Sequence, residues 1–194
     1  MNATSSFSQL VARFDTLSQV ARDKGLAKIG DCFVNLTFSL ALSLSTGTRT
    51  GEKVPKKVLA QAVRATNLRR YAPPRADAHA LADAAEAILA YAWLAELVTL
   101  KEAVDELAAP LSSALKEHPE INPKSSSVAR ALANSPPQAS GRPKSKPKPK
   151  TKSPRSLGGR GSIDNPLATS PASRAFANLL QLVKERLPIP FFEV

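Results

Sequence analysis

The sequence has 194 residues, 43% of them hydrophobic and only 5% aromatic, with one Cys and a formal net charge of +11. That length holds one domain plus a tail, and a single Cys excludes an intrachain disulfide, so a reducing, cytoplasmic setting is expected. No apolar run approaches the ~20 residues a bilayer span needs and Met1–Ser6 lacks the basic region and apolar stretch of a signal peptide, so no membrane partner is expected.

The apolar content is mainly Ala and Leu, which favours helix over strand, and an all-α fold is expected. Phe7, Leu10, Val11, Phe14, Leu17 and Ala21 recur at helical spacing and predict a helix from about Ser5 to Asp23, ended by Gly25. A second helix is predicted from about Leu26 to Ser45. It is apolar nearly all round, which marks it as buried, with Asp31 and Asn35 one turn apart on one side. Cys32 reads as a small core residue.

Thr46 to Lys53 is a loop on its Gly and Thr content. Pro55 suits the first turn of a helix running to about Thr66. Pro73-Pro74 interrupts the chain, and an Ala-rich helix is predicted from about Asp77 to Thr99. Another follows from about Lys101 to Glu117, with Val104, Leu107, Leu111 and Leu115 on its apolar face. These elements define a predicted domain over residues 1–118.

Residues 119–170 change character. They are rich in Pro, Ser and Lys, and Arg142 to Lys152 is low-complexity, so this stretch is expected to be a disordered basic linker. In residues 171–194, Ser173 is placed to cap a short helix bearing Phe176, Leu179, Leu180, Val183 and Leu187. Its apolar stripe suits the core, a dimer mate or a protein partner. From residue 119 onward there are 13 Lys and Arg against 4 Asp and Glu, leaving 14 against 12 in the first 118. Attraction for polyanions therefore resides largely in the tail.

Two stretches carry chemistry. Asp31 stands at Gly30 in the buried second helix, and Asp83 and Glu86, three apart, project from one face of the Ala-rich helix. Carboxylates in apolar segments lose hydration unless a cation compensates. Hard oxygen donors suit Mg²⁺ or Mn²⁺ rather than zinc. The plainer reading makes them helix-terminal or salt-bridged acids. His79 reads as exposed or capping, and Glu96, Glu102 and Asp105 as solvated faces.

Ile29-Gly30-Asp31-Cys32-Phe33-Val34-Asn35-Leu36 resembles the Leu-Gly-Asp signature and apolar helix of the ribonuclease III family. Leu81-Ala82-Asp83-Ala84-Ala85-Glu86-Ala87-Ile88 is similar to that family's second motif, Leu-Ala-Asp, two variable residues, then Glu-Ala. The resemblance covers roughly Asp23 to Ala95. It implies an all-α endonuclease domain in which Asp31, Asp83 and Glu86 hold Mg²⁺ or Mn²⁺ and are the catalytic residues. It also implies a homodimer that cleaves double-stranded or structured RNA by metal-activated water attack on the phosphodiester.

Two departures accompany it. Ala27 stands where the family usually has a Glu, four residues before the first Asp, as also tends to be so in the compact Mini-ribonuclease III branch. No double-stranded-RNA-binding pattern follows, which points to a compact, archaeal-type or Mini-ribonuclease III-like member. RNA contacts are then expected from Arg49, Lys53, Lys56 and Lys57, from Arg69 and Arg70, and from Lys144, Lys146, Lys148 and Lys150. Plain surface charge, and an inert spacer for the tail, are the competing readings. Two other functions stay open: a non-catalytic RNA-binding or ribonucleoprotein component on the same fold, and a helical protein-interaction scaffold.

Overall fold

The computed structural model describes residues 7–117, 131–132 and 170–188, and among these residues the structure is helical with no strand. Six helices carry it: α1 (Leu17–Arg22), α2 (Lys24–Thr46), α3 (Lys56–Ala65), α4 (Ala78–Leu94), α5 (Leu100–Glu117) and α6 (Pro171–Arg186), with 3-10 turns at Ser8–Leu10 and Leu68–Tyr71. The all-α expectation holds.

The first helix differs from its prediction. The chain makes a 3-10 turn and only then α1, leaving Phe7 and Leu10 exposed while Val11, Leu17, Val20 and Ala21 are buried. Thr16 sets the later start: its hydroxyl accepts from the Gln19 amide at 3.3 Å and caps α1, while the Asp23 carboxylate accepts from the Leu26 amide at 2.7 Å and caps α2. Gly25 consequently lies in the first turn of α2 rather than ending a helix.

At the other end of α2, Gly47 adopts φ +67°, a left-handed cap that suits Gly. By length and composition α2 is apolar enough to cross a membrane, contrary to the reading of the sequence. Here Phe33, Val34, Thr37, Phe38, Ala41 and Leu42 are buried, while Leu36, Leu40 and Leu44 are exposed. Cys32 is exposed too, not a core residue. It is one residue short of Phe33, about 100° round the helix from that buried position.

Helix α4 is the centre of the domain. Asp77 caps it by accepting from the Ala80 amide at 2.8 Å, and the helix is buried on nearly every side. It packs against α1, α2, α3 and α6, and its Ala side chains permit that close approach. It stops at Ala95, short of the predicted Thr99, because Glu96 turns to φ +58°. Helix α5 packs on α2 and α6, and α3 packs on α4 and α6.

The C-terminal helix belongs to this core. Phe176, Leu179, Leu180 and Val183 are fully buried, and the Phe176 ring lies 5.9 Å from Phe38. Of the three docking sites its stripe suited, its own domain takes it, and that buried face is not available to a protein partner. Its cap is Ser170, followed by Pro171, and not Ser173, whose hydroxyl instead donates to Gln61 of α3 at 2.7 Å. Within the stretch read as linker, Ala131 and Leu132 are helical and Leu132 is buried in the same core. Lys144, Lys146, Lys148, Lys150 and the closing Phe191-Phe192 lie outside the described residues.

Candidate active site

Because Asp23 starts α2 at Lys24, the residues Lys24, Ala27, Lys28, Asp31 and Asn35 fall at successive turns of one helix face. On α4, the i, i+3 spacing directs Asp83 and Glu86 toward that face. The two helices are pressed together at Gly30. A Cβ there would overlap the carbonyl of Glu86 and come within 2.8 Å of its Cα, so only Gly permits the crossing. This contact sets Asp31 beside Glu86. The result is an open cleft of about 390 Å³ lined by Lys24, Ala27, Lys28, Asp31, Lys56, Asp83 and Glu86.

All three acids singled out in the sequence thus line one cleft. Asp31 is exposed, Asp83 half-buried, and Glu86 buried. Asn35 supports Asp31. Its Nδ2 donates to Asp31 Oδ1 at 3.2 Å, and its Oδ1 accepts from the Val54 amide at 2.9 Å. That second bond anchors the stretch of chain leading into α3. His79 is exposed and does not line the cleft.

Lys56, the first residue of α3, differs most from its sequence reading. Instead of joining Arg49, Lys53 and Lys57 on the exterior, it turns inward. Its Nζ lies 3.0 and 3.1 Å from the two oxygens of Glu86 and 3.2 Å from Asp83 Oδ1. Lys24 Nζ takes the other Asp83 oxygen at 2.8 Å. Lys24 and Lys28 carried no signal as isolated lysines. Their spacing of seven and three residues to Asp31 becomes visible only once the helix is started at residue 24.

These pairings shift the titrations. Partial burial opposes the charged form of Asp83, but hydrogen bonds from Lys24 and Lys56 outweigh it and hold its pKa below the ordinary value. Glu86 goes the other way. Burial raises it, Asp31 and Asp83 repel it, and Lys56 only partly compensates. Lys56 is raised, because its bonds to Glu86 and Asp83 outweigh its own desolvation.

By donor chemistry the three carboxylates suit a hard divalent cation. Their spacing is not that of a closed coordination sphere. Among the described residues no three acidic, His or Cys side chains are gathered at ligand distance. The Lys56 ammonium stands between two of them.

The other expected cations are where a polyanion could reach them. Arg49, Lys53, Lys57, Arg69 and Arg70 lie outside the cleft, and none has a carboxylate partner among the described residues. Arg70 lies 4.8 Å from the Tyr71 ring centroid, and Arg69 donates to the Ala76 carbonyl at 3.3 Å. A second cleft of about 490 Å³, lined by Arg64, Asn67, Arg69 and Ala76, adds Arg64 to this group. Arg64 is the C-terminal counterpart of Lys56 on α3, about 12 Å along the helix axis.

A family model described as Ribonuclease III matches residues 24–141, more than half of the chain. It begins at the first residue of α2 and takes in every residue of the cleft. No curated protein matches the chain closely enough to count as a relative. Family membership points to an endoribonuclease acting on RNA, and the helical fold agrees with it. The chain belongs to the ribonuclease III family.

Proposed function

We propose that this chain is a divalent-metal-dependent endoribonuclease that cleaves double-stranded or structured RNA in the cleft between α2 and α4. The observation that carries the reading is that Asp31, Asp83 and Glu86, from two separate motifs, line one cleft at the Gly30 crossing. Asp31, Asp83 and Glu86 are the residues that would hold Mg²⁺ or Mn²⁺. When bound, such an ion supplies Lewis acidity at a phosphate oxygen and a lowered pKa for water. The chain's own residues orient the reaction: Asn35 fixes Asp31, and the α2–α4 crossing fixes Glu86. Arg64 and Arg69 of the second cleft, with Arg49, Lys53, Lys57 and Arg70, contact the phosphate backbone, and the basic stretch Lys144–Lys150 adds charge.

The exposed ridge of Leu36, Leu40 and Leu44 on α2 is the surface that a second copy covers, giving a homodimer. A cytoplasmic location accords with the single, free Cys32.

A labelled RNA hairpin tests the reading. With Mg²⁺ or Mn²⁺ the protein should cleave it to products with 5′-phosphate and 3′-hydroxyl ends. Asp83→Asn should abolish cleavage while the fold and hairpin retention persist. Cleavage by Asp83→Asn near the original rate would remove the site assignment. One observation favours a second reading, a non-catalytic RNA-binding component: Ala27 lines the cleft where a further acid would add a ligand, and lysines engage every oxygen of Asp83 and Glu86. That reading requires a hairpin retained but left intact with both ions. A scaffold would neither retain the hairpin at low salt nor gain stability from Mn²⁺.

A further inference from the structure

We infer that Lys56 is the resident cation of the carboxylate cleft, filling the place between Asp83 and Glu86, so that a divalent ion binds by displacing it. This rests on the proposed reading of the cleft as a divalent-cation site.

The geometry is specific. Lys56 Nζ contacts both Glu86 oxygens and Asp83 Oδ1 within 3.2 Å, and Lys24 Nζ holds Asp83 Oδ2 at 2.8 Å. All four oxygens of the α4 pair are therefore occupied by ammonium groups. A Mg²⁺ ion needs carboxylate oxygens at about 2.0–2.1 Å. It cannot share two carboxylates with an ammonium already seated between them without severe charge repulsion. The cleft is also formally neutral: Lys24, Lys28 and Lys56 balance Asp31, Asp83 and Glu86.

Lys56 is delivered there by construction. Pro55 starts α3, and Asn35, which also holds Asp31, anchors the Val54 amide just before it. Yet the lysine is the part able to move. Its side chain is 37% exposed against 4% for Glu86, so the ammonium can swing to water on its four-carbon stem while the carboxylate stays. Glu86 needs a cation in either state, because it is buried and an unpaired buried carboxylate is strongly disfavoured. Ammonium and metal ion are thus alternative occupants of one place.

The test is Mn²⁺ binding by isothermal titration calorimetry, with no RNA and no turnover. Lys56→Met should bind Mn²⁺ about tenfold more tightly or better than the unaltered protein, because the competing charge is gone. It should also gain more thermal stability from Mn²⁺. Lys116→Met removes the same charge from an exposed side chain on α5, outside the cleft, and should leave the affinity unchanged. Lys56→Gln serves if Lys56→Met does not fold. In the unaltered protein, reductive methylation mapped by mass spectrometry reads the same displacement. Saturating Mg²⁺ should speed modification of Lys56 but not of Lys57.

Equal affinity in the Lys56 variants and the unaltered protein, or weaker binding in the variants, overturns the inference and leaves the metal site standing. So does a Lys56 methylation rate that Mg²⁺ does not change. If neither the unaltered protein nor any Lys56 variant binds Mn²⁺, the reading of the cleft as a metal site fails and the inference fails with it.

Discussion

Gly30 of α2 rests directly on the backbone of Glu86 of α4, with no room for a side chain between them. Both the fold and the cleft depend on this contact, because it brings Asp31 and Glu86, 55 positions apart in sequence, to one place.

Gly30→Ala should therefore be among the costliest single-methyl changes in the chain. The new Cβ meets backbone, which cannot rotate away, so destabilisation by about 3 kcal/mol or more is expected, the upper end for overpacking. Gly47→Ala is the control. Gly47 has open space around it, and its only demand is φ +67°. Forcing an L-residue there costs roughly 1–2 kcal/mol. Urea denaturation of the two variants should show that order. The reverse order would mean that α2 and α4 do not cross as described.

The arginines outside the cleft lead to a prediction about salt. Arg69→Ala combined with Arg70→Ala should weaken hairpin retention for all sequences alike. The slope of log K against log salt should become shallower by about 0.7–0.9 for each phosphate that is no longer neutralised. Arg64→Ala should behave in the same way if the second cleft carries a phosphate. An unchanged slope would leave these arginines as surface charge. The measurement is filter binding of a labelled hairpin over a salt series, without divalent ions so that cleavage does not interfere.

Leu36, Leu40 and Leu44 repeat every four residues along α2 and are 48%, 39% and 66% exposed. This ridge is the proposed dimer seam. Leu36→Glu with Leu40→Glu should convert a dimer to a monomer in sedimentation velocity and leave the helical circular dichroism unchanged. A species of the same mass before and after substitution would place any dimer seam elsewhere.

Much of this arrangement is legible in the sequence, and the remainder is not for identifiable reasons. Helices α2 and α4 announce themselves because they are apolar on most sides and carry polar groups at helical spacing, Asp31 and Asn35 in the first and Asp83 and Glu86 in the second. Asp83 and Glu86 share a face by spacing alone. What spacing cannot supply is the partner across the fold. Lys56 reads as one more exposed lysine, since its contacts with Asp83 and Glu86 span 27 and 30 residues. The stripe of Phe176 shows that α6 must be covered but not by what, and the Phe38 ring that meets it is 138 positions away. Helical spacing over-extends the first helix because Thr16, an N-cap, reads as an ordinary polar residue until its bond from the Gln19 amide is seen.

The join between α5 and α6 should be visible in acid. Arg186 of α6 pairs with Glu102 of α5 at 3.0 Å and donates to the Leu97 carbonyl at 2.8 Å. The hydrogen bond from Arg186 is the largest influence on Glu102, followed by bonds from the Thr99 amide and hydroxyl, and together they hold its pKa down to about 2. A carboxyl whose folded pKa is depressed contributes stability that is complete above its ordinary value of 4.5 and is lost as the pH falls toward about 2. The pair is solvent-exposed, so its contribution is small and screened by salt. Asp83, also depressed, titrates in the same sense, and Glu86, raised, in the opposite one. The difference between the unaltered protein and Glu102→Gln isolates the α5–α6 pair. Urea midpoints should differ at pH 7, converge as the pH approaches 2, and lie closer together at pH 7 in high salt. Midpoints that differ by the same amount at pH 7 and near pH 2 would mean that the Glu102 charge does not hold α6 in place.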